Sequence, residues 1–195
     1  MQDCIAFFSF VSFFPQLVAG PIERAVNLLP QFNQKRNFDY FKAVDGLKQI
    51  LWGLFKKVVI ADNCAQFADL IFAESAELNG STLLLGAFFF AFQIYGDFSG
   101  YSDMAIGLGR MLGFRFQENF NFPYIATSIR EFWHRWHISL SSWFRDYVYI
   151  PLGGNRTGGI GSYIAITLIF VFLIFITGWY DLLYVYGGLT IVYLI

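Results

Sequence analysis

The chain has 195 residues, 56% of them hydrophobic and 21% aromatic, with a charged fraction of only 14% and a mean hydropathy of +0.51. Soluble domains carry about a quarter charged residues, so this balance excludes an ordinary soluble globular domain and points to a membrane protein. The net charge of −1 decides nothing as a sum.

No secretory signal is visible, because Met1 is followed by Gln2 and Asp3 rather than by a basic stretch. Cys4 and Cys64 stand alone, without the spacing of a disulfide framework or a zinc site. Residues 5–20, "IAFFSFVSFFPQLVAG", read as the remains of a spanning helix ending at Pro15. Residues 21–46 are polar and hold two prolines, which predicts a loop with short helical pieces. Residues 47–72 have helical period but are interrupted by Lys56, Lys57 and Asp62, as in a helix lying partly in the membrane interface. Residues 81–109 have the length of a span, since about 20 apolar residues cross a bilayer core. Residues 161–180 are the cleanest spanning candidate, and 182–195 begin another. The apolar run still in progress at Ile195 suggests one membrane-embedded domain, 1–195, incomplete at both ends.

The cations sort themselves. Seven lie in 21–57 and six in 110–156, which accounts for all 13. Residues 61–80 carry Asp62, Asp69, Glu74 and Glu77 instead. By the positive-inside rule, segments 21–57 and 110–156 face the cytoplasm and 61–80 faces out, so several spans run in series.

Both histidines lie in "REFWHRWHISLSSWFRDYVYIPLGGNR", residues 130–156. On a helix at about 100° per residue, 130–147 separates into an aromatic arc and a polar arc. His137 falls at the edge of the aromatic arc, beside Phe144 and Arg130, and His134 falls well inside the polar one. An imidazole against aromatic surface is desolvated and stays neutral more readily, which suits a general base acting on a hydroxyl. The same pattern also fits an interfacial helix whose His137 only hydrogen-bonds a neighbour. Trp133, Trp136, Trp143, Tyr147 and Tyr149 read first as an aromatic interface belt, with substrate stacking as the alternative. Gly153 and Gly154 form a turn after Pro151; with Arg156 it could touch a phosphate, or simply stop the helix.

A second polar cluster, "FQIYGDFSGYSDMAIG" at 92–107, puts Gln93, Asp97, Ser99, Ser102 and Asp103 in or near a span. Ionisable groups at that depth are costly and face a cavity or one another. Gly96 and Gly100, four apart, allow close helix approach. The G-x-S-x-G elbow of a serine hydrolase is absent. A transporter using Asp97 or Asp103 is a further reading of the same residues.

Three stretches together resemble one family: "SFFPQLVAGPIER" (12–24), "QIYGDFSGYSDMAIGLGRMLGF" (93–114) and "NFNFPYIATSIREFWHRWHISLSSWFRDYVYIPLGGNR" (119–156). They are similar to the membrane-bound O-acyltransferases, in the bacterial branch of alginate and other polysaccharide O-acetyltransferases. The resemblance runs from about residue 10 to about 175. It implies an all-α, polytopic transmembrane helical bundle around a funnel and tunnel, of which this chain is the central part. It also implies transfer of an acyl group, acetyl foremost, to a hydroxyl of an exported polysaccharide or cell-envelope glycan. His137 matches one of the family's two active-site histidines, whereas the position of His134 varies among members. Asp97, Ser99, Asp103, Arg130, Trp136 and Arg145 are the expected substrate-binding or supporting residues. No bound cofactor or metal is expected; the acyl donor, an acyl-CoA or another thioester, is a co-substrate. Expected partners are membrane lipids, the glycan and a periplasmic or membrane acetylation partner, with no nucleic acid. The expected location is the bacterial inner membrane.

One departure stands out. The family's second histidine lies in a W-H-G motif, to which Trp179 fits, but Tyr180 stands where the histidine is expected and Asp181 where the glycine is. A phenol, with a reference pKa near 10, is a poor base at neutral pH. Two readings follow: an acyltransferase relying on His137, or a catalytically impaired scaffold in an acetylation or secretion complex.

Overall fold

The computed structural model describes residues 4–17, 20–152 and 154. The spans expected at 161–180 and 182–195, and the site at Trp179, Tyr180 and Asp181, lie outside the described residues. The chain divides into two compact units, Met1–Ser139 and Leu140–Ile195. Every regular element among the described residues is helical, in line with the all-α class that the resemblance implies.

In the first unit, α1 (Cys4–Val11) is a short apolar helix, followed by a 3-10 turn at Phe14–Gln16 with Pro15 near its start. The polar stretch that follows forms α2 (Ala25–Phe32) and then an extended link. Asp39 starts α3 (Tyr40–Leu54) by accepting from the backbone N–H of Phe41 and Lys42, which satisfies two of the orphan donors of the first turn. From α3 the chain passes without a break through a π-helical turn, Phe55–Ala61, into α4 (Asp62–Ala73). The charges at 56, 57 and 62 do not interrupt this rod. Asn79 caps α5 (Gly80–Met111) through Thr82 N–H. At 32 residues, α5 is about 48 Å long, and it is the one described helix long and apolar enough to cross a membrane.

The α3–α4 rod packs antiparallel against α5, and small residues set the distance between them. A Cβ placed on Gly53 would lie 2.5 Å from the carbonyl oxygen of Gly100, and one on Gly46 equally close to that of Gly107. Only hydrogen fits at these crossings, so the two backbones touch. Gly96 approaches the carbonyl of Lys56 and the methyl of Ala61 in the same way, in keeping with the close approach read from Gly96 and Gly100.

That contact lets the lysines reach across. Lys56 Nζ lies 2.5 Å from Asp103 Oδ2 and donates to Ser99 Oγ at 2.9 Å. Gln49 Nε2 donates to the other oxygen of Asp103. Lys57 Nζ lies 2.5 Å from Asp97 Oδ1 and 2.8 Å from Asp62 Oδ1. The π turn falls where these two consecutive lysines point to one neighbour; such turns occur most often at sites with a special demand on side-chain direction. The sequence cluster 92–107 therefore meets charges of the opposite sign from another helix. The signal that could have paired them was two adjacent lysines inside an apolar helical period.

A strap from Gly113 to Gln117 closes this unit against α2. Gln31 accepts from Arg115 N–H at 2.8 Å and donates to the Arg115 carbonyl at 3.1 Å. Phe13, Phe32 and Phe114 pack ring to ring, with centroids 4.5 to 5.1 Å apart. Glu23, buried, accepts from Gln117 N–H; burial pushes its carboxyl above the usual range, against the pull of that bond and of Arg24.

Removing one partner of a buried ion pair leaves the other uncompensated, at a cost of about 3–5 kcal/mol. Lys56 is buried, while the Asp103 side chain is 22% exposed, which places this pair at the lower end of that range. Lys56→Met should accordingly lower the thermal unfolding midpoint markedly, and Lys56→Met with Asp103→Leu should restore most of it. Additive losses in the double variant would show that the pair does not join the two helices.

Candidate functional site

The segment expected to be one helix over 130–147 is two helices with the histidine between them. Ser128 opens α6 (Ile129–Arg135) by accepting from Glu131 N–H, and Glu131 reaches back to Thr127, accepting from its N–H and its hydroxyl at 2.8 Å. This is a close variant of the capping box, with Glu131 bonding the residue before the cap, and the order Ser-x-x-Glu at 128–131 was there to be read. These bonds from Thr127, with the Arg135 guanidinium, hold the Glu131 carboxyl down at about 2. Helix α6 stops at Arg135, Trp136 is extended, and His137 takes φ +44° before α7 (Ile138–Phe144) begins. A left-handed backbone at a residue with a Cβ costs on the order of 1–3 kcal/mol and persists where surrounding contacts hold it.

The contacts that hold it come from Asn119. Backbone bonds run from Ile138 N–H to the Asn119 carbonyl and from Asn121 N–H to the Arg135 carbonyl, both 2.9 Å. They pin 119–121 along the break. The Asn119 side chain, 1% exposed, fills the space inside it. Its Oδ1 accepts from Ser139 N–H at 3.2 Å and from the Ser139 hydroxyl at 2.8 Å, and lies 3.0 Å from His137 Nδ1. Ser139 Oγ in turn accepts from Ile22 N–H at 3.0 Å. A backbone N–H can only donate, so the Asn119 atom facing it is the oxygen. An oxygen there requires a proton on His137 Nδ1. The imidazole is thus held with Nδ1–H donating, which leaves Nε2 with its lone pair.

Aromatic rings enclose the imidazole. Phe98 of α5 meets it edge-on at 4.6 Å, and the Phe120 ring lies nearly parallel to it at 6.4 Å. This burial pushes the His137 pKa down from 6.5 to about 4, so the ring is neutral at pH 7. The desolvation read from the sequence is present, and Phe98 and Phe120 are among the rings that supply it. Nε2 has no hydrogen-bond partner among the described residues. A neutral imidazole with one fixed N–H and one free lone pair is equipped to take a proton from a hydroxyl.

The other expected site residues fall in different places. Trp136 is buried, packing on Phe120 at 5.1 Å and on Phe132 at 5.5 Å, so it supports the histidine's loop from inside and is no part of an interface belt. Asp97, Ser99 and Asp103 are engaged by Lys56 and Lys57 on the α5 face described above. Arg130 is exposed, as is His134. Arg145, in the second unit, follows α7 in a π-helical turn, Arg145–Tyr149, and pairs with its neighbour Asp146 at 2.8 Å. Asn119 was not singled out in the sequence. Neither its spacing nor its neighbours marks it, because its role arises from a contact 18 residues along the chain.

Comparison with known proteins bears on what this arrangement belongs to. The sequence profile of the membrane-bound O-acyltransferase family matches residues 1–195. A protein of Azotobacter vinelandii named probable alginate O-acetylase AlgI is 54% identical over 155 residues, covering 80% of this chain and 31% of that protein. A peptidoglycan O-acetyltransferase of Helicobacter pylori is 48% identical over 164 residues, or 83% of this chain and 31% of that protein. A teichoic acid D-alanyltransferase of Bacillus subtilis is 32% identical over 145 residues, 72% of this chain and 36% of that protein. The chain spans about a third of the length of the curated relatives it matches. With the motifs at 12–24, 93–114 and 119–156 inside the matched range, the chain belongs to the membrane-bound O-acyltransferase family.

Proposed function

We propose that the protein carrying this chain transfers an acyl group, acetyl foremost, from a thioester donor to a hydroxyl of an exported polysaccharide or cell-envelope glycan. The observation that carries the reading is the His137 imidazole, neutral, enclosed by Phe98 and Phe120, and fixed by Asn119 with Nε2 free. It is supported by relatives whose names specify O-acetylation of alginate and of peptidoglycan. Nε2 takes the acceptor's hydroxyl proton as the oxygen attacks the thioester carbonyl. The carbon–sulfur bond then breaks, and the imidazolium returns the proton to the leaving thiolate. The donor, acyl-CoA or a relayed thioester, is a co-substrate, and no bound cofactor takes part. Arg130, Trp136 and Arg145 remain the supporting residues of this reading, with Asn119 added as a positioning residue. The chain forms part of one polytopic domain in a bacterial inner membrane, with 21–57 and 110–156 on the cytoplasmic side. Its partners in this reading are membrane lipids, the glycan acceptor and a periplasmic or membrane acetylation partner.

A second reading rests on Tyr180. If the role of the family's second histidine is unfilled, the protein is a scaffold in an acetylation complex. Tyr180→His in the full-length protein discriminates: a rise in glycan acetylation of at least about tenfold supports an impaired enzyme, and no change supports the scaffold.

For the enzyme reading, His137→Ala should lower acetyl transfer to the glycan by about a hundredfold or more, measured as ester released from isolated glycan. Wild-type transfer in that variant would sink the assignment. His137→Gly should be as inactive yet more stable than His137→Ala by about 1 kcal/mol, because glycine relieves the left-handed backbone. Activity should also resist acid. The base form of His137 prevails above about pH 4, so the acid limb of the rate profile should fall near pH 4 and not near 6.5. Asn119→Asp places a carboxylate against Nδ1–H, favours the imidazolium and should move that limb up by roughly one to three pH units. An unmoved limb would remove Asn119 from the mechanism.

A further inference from the structure

We propose that a cationic cleft at the C-terminal end of α5 binds the phosphate-bearing headgroup of an anionic phospholipid. The cleft has a volume of about 600 Å³ and lies where α5 ends, between the link that follows α2 and the strap that follows α5. Five cations line it, Lys35, Arg36 and Lys42 from one side and Arg110 and Arg115 from the other, against one carboxylate, Asp39. That carboxylate is already committed, capping α3 and pairing with Lys42 at 3.3 Å. Arg36 is held in place, its guanidinium 3.8 Å over the Phe114 ring and donating to the Gln31 carbonyl. Gln31 also fixes Arg115 through both backbone groups of that residue. Lys35, Arg110 and the Arg115 guanidinium have no carboxylate partner among the described residues.

Cations at this density repel one another and call for an anion with more than one negative charge. The volume suits a headgroup, being within the range of about 300–1,000 Å³ of small-molecule sites. What separates a lipid from free phosphate is the apolar rim. Phe38, Met111 and Leu112 line the same cleft, and Phe38 is 81% exposed. Tyr40 and Phe41, beside it at the start of α3, are exposed as well. A cation cluster bordered by exposed rings and aliphatic side chains at the end of a membrane-crossing helix matches the junction between headgroup and acyl chain. The proposal rests on α5 crossing the membrane and is independent of the chemistry assigned to His137.

The test uses the full-length protein in nanodiscs of phosphatidylcholine, alone or with one-fifth cardiolipin. Retention of fluorescent cardiolipin is measured with and without millimolar pyrophosphate. The expected result is selective retention of cardiolipin over fluorescent phosphatidylcholine, weakened roughly tenfold or more by Lys35→Gln with Arg110→Gln. Arg115→Gln alone, at an exposed side chain, should weaken it less and in the same direction; it guards against misfolding of the double variant. His137→Ala should keep cardiolipin even where it abolishes acyl transfer, which separates failure of this proposal from failure of the enzyme reading. Wild-type retention in the double variant, or equal retention of both lipids, would overturn the site. Full displacement by pyrophosphate would overturn the lipid and put a soluble phosphate in its place.

Discussion

The pairing of Lys56 and Lys57 with Asp103 and Asp97 is the constraint on which the helical core depends. Lys56, buried in an apolar helix, cannot be left without a partner, because an unpaired buried charge is among the largest penalties a fold can carry, while the partly exposed Lys57 gains less from its own pair. The penalty is met by a second helix that brings carboxylates at the right height, and glycines let the backbones come close enough for the lysine stems to span the gap. Small residues and ion pairs thus act together. The glycines set how near the helices lie, and the charges set their register.

α5 is fixed on one side by this contact and serves the candidate site on another. Phe98, between Asp97 and Ser99, turns to the His137 ring while its neighbours engage the lysines. One helix therefore carries both the charge pairs and part of the aromatic enclosure. Tyr124, whose hydroxyl donates to the Ala91 carbonyl at 2.6 Å, ties the 119–125 segment to the same helix. The loop that holds the histidine is positioned by α5 and by Asn119 together.

At the histidine the backbone does what local preference opposes. Residues 130–147 have the composition and period of a continuous amphipathic helix, yet the chain breaks at Trp136 and His137. The break exposes backbone groups that a helix would have satisfied, and Asn119 with its backbone and side chain takes them up. The left-handed backbone at His137 is retained because these distant contacts hold it, although a continuous helix would have been cheaper locally.

Composition by itself pointed to a membrane protein, because so few charges cannot cover a soluble surface, and the motifs at 12–24, 93–114 and 119–156 carried the resemblance that implied a helical fold. The length of α5 and the close approach at Gly96 and Gly100 could also be read, since each depends on local pattern; that His137 would be desolvated could be read too, but not that Phe98 and Phe120 would do it. The exposed position of His134 followed from the same helical period. The partners of Asp97 and Asp103 were not read: two adjacent lysines in an apolar period signalled a need for carboxylates, but Lys56 and Lys57 lie some 40 residues away and nothing local says which carboxylates meet them. The break at His137 and the role of Asn119 were equally out of reach. A helical period records which residues prefer one face, and a side chain that caps a break from a distant segment leaves no trace in that period. Only tertiary structure decided which nitrogen of His137 is free, because that depends on one oxygen placed by a different part of the chain.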